Sequence, residues 1–145
     1  MKLVVDANIL FSFFKKDSIT RRLLTSFEIF ELYTPSLCFV ELINHKEEIC
    51  KKSKISESDF NEILDDLKLF VETIPDEKFK DYGLESKKIL PAHLKDVPYV
   101  ALCLFFRSAG YNIALWTNEV QLKKLKNQGI TVYSTKDLLE LLKLI

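Results

Sequence analysis

The sequence is poor in residues that interrupt structure. Only three of its 145 residues are glycine and four are proline, so loops must be short and helix should dominate. It also has no surplus of charge. Twenty-one Lys plus Arg stand against 21 Asp plus Glu, a formal net charge of zero. That excludes a broad electrostatic grip on a polyanion or a membrane surface, so any such partner must be held locally. The three cysteines, Cys38, Cys50 and Cys103, are odd in number and show no CxxC spacing. They exclude a self-contained disulfide framework and read as small buried residues of a reducing compartment. Long apolar runs are missing too. The longest, 97–106, is broken by Pro98 and falls well short of the roughly 20 residues of a membrane span. Met1-Lys2-Leu3-Val4-Val5-Asp6 places an acid where a signal peptide would continue its apolar stretch. These absences lead to the expectation of a cytoplasmic chain without a membrane partner, folded as a single domain over 1–145.

What is present alternates. Short apolar stretches read as strands at 3–5, 28–33, 71–74, 112–116 and 130–133. Between them lie helical patterns at 7–14, 18–26, 36–52, 56–69, 77–90, 97–108, 120–127 and 135–144. Val97, Val100, Ala101, Leu104 and Phe105 recur at i, i+3, i+4, i+7 and i+8, marking the most apolar helix. The alternation predicts an α/β fold with a parallel sheet covered on both faces. Such sheets place their sites at the carboxyl ends of strands, so the residues just beyond each strand are the ones to weigh.

Four acids stand out: Asp6 and Glu119 follow strands, and Glu41 and Asp96 sit near the starts of helices that could reach the same edge. Asp6 follows the first strand, where it also suits a helix N-cap. Glu41 sits in the otherwise apolar Cys38-Phe39-Val40-Glu41-Leu42-Ile43, and glutamate is seldom buried without a partner; an ion pair with Lys46 is the plainer reading. Asp96 precedes the most apolar helix, and Pro98 fits a helix capped there. Glu119 follows the fourth strand through Thr117 and Asn118, as an ordinary acid of a first helical turn. Together these acids carry more weight than singly. Carboxylates converging on one sheet edge repel one another, and hard oxygen ligands select Mg²⁺ or Mn²⁺. Metal-assisted phosphodiester hydrolysis needs this arrangement.

These residues resemble the PIN-domain ribonucleases, which include the toxins of VapBC modules. Val4-Val5-Asp6-Ala7-Asn8-Ile9-Leu10 is similar to the opening D-x-N motif of that family. Pro35-Ser36-Leu37-Cys38-Phe39-Val40-Glu41-Leu42 resembles its second acidic motif. Lys95-Asp96-Val97-Pro98-Tyr99-Val100-Ala101-Leu102 resembles the third, and Leu115-Trp116-Thr117-Asn118-Glu119 the fourth, usually T-x-D. The motifs occur in the family's order across nearly the whole chain. The resemblance implies a three-layer α/β/α sandwich around a five-stranded parallel sheet. It implies an endoribonuclease dependent on Mg²⁺ or Mn²⁺, with Asp6, Glu41, Asp96 and Glu119 as catalytic metal ligands and Asn8 and Thr117 in support. It further implies RNA as substrate, a homodimer, and an antitoxin as partner if the chain is a toxin. Glu119 departs from the pattern: its extra methylene moves the carboxylate by roughly 1.5 Å, one C–C bond.

Lys15, Lys16 and Arg21 lie near Asp6 in sequence and are the candidates for gripping substrate phosphates, against the plainer reading of a solvated surface. His45 and His93 lack metal-ligand spacing and read as surface or ion-pair residues. No Gly-rich phosphate loop or serine nucleophile motif occurs. A catalytically silent binding module of the same fold is the alternative that the Glu119 departure favours. A phosphatase acting on small substrates is a further rival, which the lack of a D-x-D motif after the first strand opposes.

Overall fold

A computed structural model describes residues 1–16, 18–26 and 28–143. Its centre is a sheet of five strands: β1 (Lys2–Val5), β2 (Glu31–Pro35), β3 (Val71–Ile74), β4 (Ile113–Trp116) and β5 (Thr131–Tyr133). Their order is β3-β2-β1-β4-β5 and every pairing is parallel. β1 is flanked on both sides, with Leu3 opposite Leu32 of β2 and Ala114 of β4. Both of its faces are covered, which is why Leu3, Val4 and Val5 are all apolar rather than alternating. The helices are α1 (Ala7–Phe11), α2 (Ile19–Leu24), α3 (Leu37–Asn44), α4 (Lys46–Ser53), α5 (Glu57–Phe70), α6 (Asp76–Phe79), α7 (Gly83–Ile89), α8 (Val97–Ser108) and α9 (Thr135–Leu141). With the sheet they form the α/β/α sandwich expected from the sequence.

Local chemistry sets most boundaries. Ser56 and Asp59 form a reciprocal capping box at the start of α5, and Ser134 and Asp137 repeat it at α9. Gly129 follows the 3-10 segment Val120–Gln128 at φ +79°, a left-handed turn that favours glycine. α8 is buried on nearly every side, including Val100, Leu102 and Cys103, and packs on β1, β2 and β4. Phe14 stacks on Phe60 at 4.8 Å, joining the 3-10 turn Ser12–Phe14 to α5.

Some expected elements differ. The helix expected over 7–14 turns to 3-10 geometry at Ser12–Phe14, where consecutive phenylalanines both bury inward. The helix expected over 36–52 is two, α3 and α4, meeting at His45. Ser36 makes no side-chain cap there. The helix expected over 77–90 divides at a 3-10 turn, Lys80–Tyr82, just before Gly83. The segment 120–127 is 3-10 rather than α-helical. The last helix ends at Leu141, and the end expected for it, 144, lies outside the described residues. All three cysteines are free; Cys38 and Cys103 are buried and Cys50 half-buried. Among the described residues no helix is long and apolar enough to cross a membrane.

Candidate active site

The strand order reverses direction between β1 and β4. Connections leaving these neighbours diverge, and a crevice opens at their carboxyl ends. Asp6 ends β1 there, and Thr117, Asn118 and Glu119 follow β4. The Asp6 amide donates to the Trp116 carbonyl at 3.3 Å, so the two strand ends are fastened to each other. On the other side of β1, the buried Thr34 hydroxyl of β2 donates to the Val5 carbonyl at 2.9 Å. That bond sets the start of α3, and hence Glu41, beside Asp6. The turn ahead of α8 brings Asp96.

All four acids line one cavity of about 380 Å³. Asp6 is the most buried of the four acids, at 3% exposure. Its Oδ1 accepts from the Ile9 amide at 3.0 Å, which caps α1 as the sequence allowed. Its Oδ2 accepts a short hydrogen bond from the Thr117 hydroxyl. The same Thr117 oxygen accepts from the Glu119 amide at 3.1 Å. Asn8 donates to Glu119 Oε1 at 3.0 Å and Gln121 to Oε2 at 2.7 Å. Thr117 and Asn8 thus tie the acid after β1 to the acid after β4. Asn118 points elsewhere, with its side chain accepting from the Thr135 amide.

The electrostatics are those of acids crowded together. Burial pushes the Asp6 carboxyl up from 3.8 to about 6, against the Thr117 and Ile9 hydrogen bonds; Glu119 and Asp96 raise it further. Asp96 also rises to about 6, through burial first and then Glu119, with Glu41 adding to it and His93 opposing. Although Asp96 sits at the N-cap position of α8, its side chain caps nothing, so it is free to serve the cavity. Burial raises Glu41, partly offset by His45 and Lys95. A fifth acid on the rim, Glu48, shows the contrast: Lys52 at 2.8 Å and His45 at 3.4 Å hold it. Among the described residues none of Asp6, Glu41, Asp96 or Glu119 forms an ion pair. Lys46, the sequence's candidate partner for Glu41, pairs instead with Glu57 at 2.6 Å.

The donor set is chemically that of a hard divalent cation: carboxylate oxygens in negative excess. It is not drawn tightly together. Among the described residues no three His, Cys, Asp or Glu side chains are grouped so as to hold a metal ion. The basic candidates fall outside. Lys15 and Lys16 are exposed just beyond the 3-10 turn Ser12–Phe14, and the Arg21 guanidinium lies over the Phe13 ring at 4.9 Å. None of the three lines the cavity; Lys95 does, with His45, Phe11 and Tyr99. Sequence reading did not single out Lys95, Phe11 or Tyr99, and it read His45 as a surface or ion-pair residue, which its contact with Glu48 matches. For Tyr99 a signal existed, since it stands one turn beyond Asp96 at i+3 and shares its side of α8. His45 likewise follows Glu41 at i+4.

A family model for the PIN domain matches residues 4–143, nearly the whole chain. The protein belongs to the PIN-domain family. PIN domains are typically nucleases, and those nucleases generally use divalent metal ions. No curated protein matches the chain.

Proposed function

We propose that the chain, as one domain over 1–145, is a Mg²⁺- or Mn²⁺-dependent endoribonuclease cutting single-stranded RNA. The observation that carries this is the Asp6–Thr117–Glu119–Asn8 linkage across β1 and β4, with Asp96 and Glu41 facing the same cavity. Asp6, Glu41 and Asp96 would hold the cation, and Glu119 would complete or extend the set. A bound divalent cation would offset charge on the scissile phosphate and make a bound water more acidic.

The chain's own residues do the rest. Thr117 and the Ile9 amide fix the Asp6 carboxylate in one orientation. Asn8 and Gln121 do the same for Glu119. One of these carboxylates, or the cation itself, would help deprotonate the attacking water. Water oxygen bonds to phosphorus, the bond to the 3′ oxygen breaks in line, and the proton ends on that leaving oxygen. The products are a 5′-phosphate and a 3′-hydroxyl. Lys95 at the cavity, with Lys15, Lys16 and Arg21 further out, would bind neighbouring phosphates and make affinity fall with salt. A role as the toxin of a toxin–antitoxin pair, and a homodimeric state, belong to the same reading. A neighbouring gene for a small DNA-binding antitoxin and a measured molecular mass test them.

The direct test is incubation of purified protein with unstructured and structured RNA, with Mg²⁺, Mn²⁺ or EDTA. Cleavage with either metal, abolished by EDTA and by Asp6→Asn, is expected; cleavage that survives either treatment sinks the mechanism. A second reading, a catalytically silent PIN module, is favoured by the carboxylates' not being gathered into a three-ligand group and by Glu119's having both oxygens occupied. Calorimetry that finds no Mn²⁺ binding at millimolar concentration would select it.

A further inference from the structure

Tyr99 does not fit its surroundings as a core residue. It is 3% exposed and lies on the most apolar helix, yet it carries a hydroxyl. That oxygen is buried and has no hydrogen-bond partner among the described residues. The Cys38 thiol stands beside it without making a hydrogen bond of acceptable geometry. Buried hydroxyls are normally satisfied, and a phenylalanine would fill the same space at no such cost. The side chain lines the acidic cavity, and its neighbouring charges there are Glu41 and then Asp6.

Glu41 is the complementary anomaly. It is a half-buried carboxylate to which the described residues offer neither an ion pair nor a hydrogen bond. Asp6, the other acid near Tyr99, already has one donor on each oxygen. One wall of the cavity therefore holds an unspent donor and another holds an unspent acceptor. Meanwhile the acids that share the cavity are not yet gathered.

Building on the nuclease reading, we infer that Tyr99 is the positioning residue for Glu41. Its hydroxyl donates to the Glu41 carboxylate when a divalent cation draws that carboxylate into the cavity. The bond fixes the direction from which Glu41 meets the cation, as partners of metal-binding carboxylates do elsewhere. Tyr99 touches neither cation nor RNA, and in the metal-free protein its hydroxyl is a cost that is recovered on binding.

The test is Mn²⁺ calorimetry on the wild type, Tyr99→Phe, Glu41→Gln and the double variant, with thermal melts of each in the absence of metal. Tyr99→Phe should weaken Mn²⁺ binding about tenfold while its metal-free Tm stays at or above that of the wild type. In the Glu41→Gln background the Tyr99→Phe penalty should disappear. Wild-type binding with no change in Tyr99→Phe overturns the assignment alone. So does a fall in the metal-free Tm, which would mean the hydroxyl already has a structural partner. An equal penalty in the Glu41→Gln background overturns the choice of Glu41. A wild type that binds no Mn²⁺ overturns the nuclease reading, and this assignment with it.

Discussion

The two ends of the sheet treat charge in opposite ways. At the amino end, Lys2 of β1 pairs with Glu31 of β2 across the parallel register, donates to the Tyr33 hydroxyl at 3.3 Å, and lies over the Tyr33 and Tyr111 rings at 5.5 and 5.2 Å. The pairing lowers the Glu31 pKa and raises that of Lys2. Lys2 and Glu31 there are each other's partners. At the carboxyl end four carboxylates share a cavity without an ion pair, and two of them are held up near pH 6. The same scaffold settles charge at one end and leaves it unsettled at the other. An arrangement that destabilises its own ionised form is evidence of a purpose beyond folding.

The sharpest way to break this contrast is to neutralise one acid. Asp6→Asn should lower RNA cleavage by about 100- to 1,000-fold, the equivalent of a few kcal/mol of transition-state stabilisation, measured as single-turnover rates in Mn²⁺. The same change should raise the metal-free Tm at neutral pH, since it removes a buried carboxylate and keeps hydrogen-bonding capacity toward Ile9 and Thr117. Loss of both activity and Tm would mean that Asp6 serves the fold first.

The pH dependence separates the two ends next. The Asp6 pKa is raised from 3.8 to about 6 in the folded state, so the folded protein binds more protons than the unfolded chain between those values. Its contribution is therefore largest below pH 4 and is lost as pH rises through about 6. Asp96 acts in the same direction. Glu31, with its lowered pKa, has the opposite sign: its contribution is present above the unfolded pKa and lost on acidification. Melts of the wild type and Asp6→Asn from pH 4 to pH 7, without metal, should diverge as pH rises. Saturating Mn²⁺ should close the gap. Parallel curves would show that the Asp6 environment is not what governs this range.

Thr117→Val should come third. It deletes a hydroxyl, 2% exposed, that serves both Asp6 and the Glu119 amide. A stability loss of about 1–3 kcal/mol is expected by urea denaturation, together with a lower cleavage rate. Smallest is the change at the settled end. Lys2→Met should leave cleavage unaltered and move the Tm by no more than about 2 °C, as exposed ion pairs usually do. A large loss of cleavage from that distance would erase the contrast between the two ends.

Much of this was legible in the sequence for identifiable reasons. Strand β3 and helix α8 are found where the pattern put them, because a short β-branched run before Pro75 and an apolar i, i+3, i+4 stripe admit few other solutions. Asp6 and Glu119 follow strands, Asp96 opens α8 and Glu41 lies in the second turn of α3, and the topology brings all four to one cavity. What stayed hidden depends on third partners. The bend at His45 that separates α3 from α4 follows no proline or glycine. Lys46 turns to Glu57 of α5, a choice that only tertiary packing makes. Tyr99 reads as one more apolar position of its helix until its hydroxyl is found without a partner. Lys15 and Lys16 were close to Asp6 along the chain but are not at the cavity, since α1 and the following 3-10 turn carry them away from it.

The bond from Asn8 to Glu119 joins residues 111 positions apart, and it has a temporal meaning. β1, β2 and β3 precede β4 in the chain, and one edge of β1 is completed only by β4. Until that strand docks, Asp6 has no Thr117 and the cavity has no second wall. A chain in which β4 has not joined β1 therefore holds Asp6, Glu41 and Asp96 without Thr117 or Glu119 beside them. On the nuclease reading, Thr117 and Glu119 reach the cavity only where β4, a strand of four residues, is joined to β1.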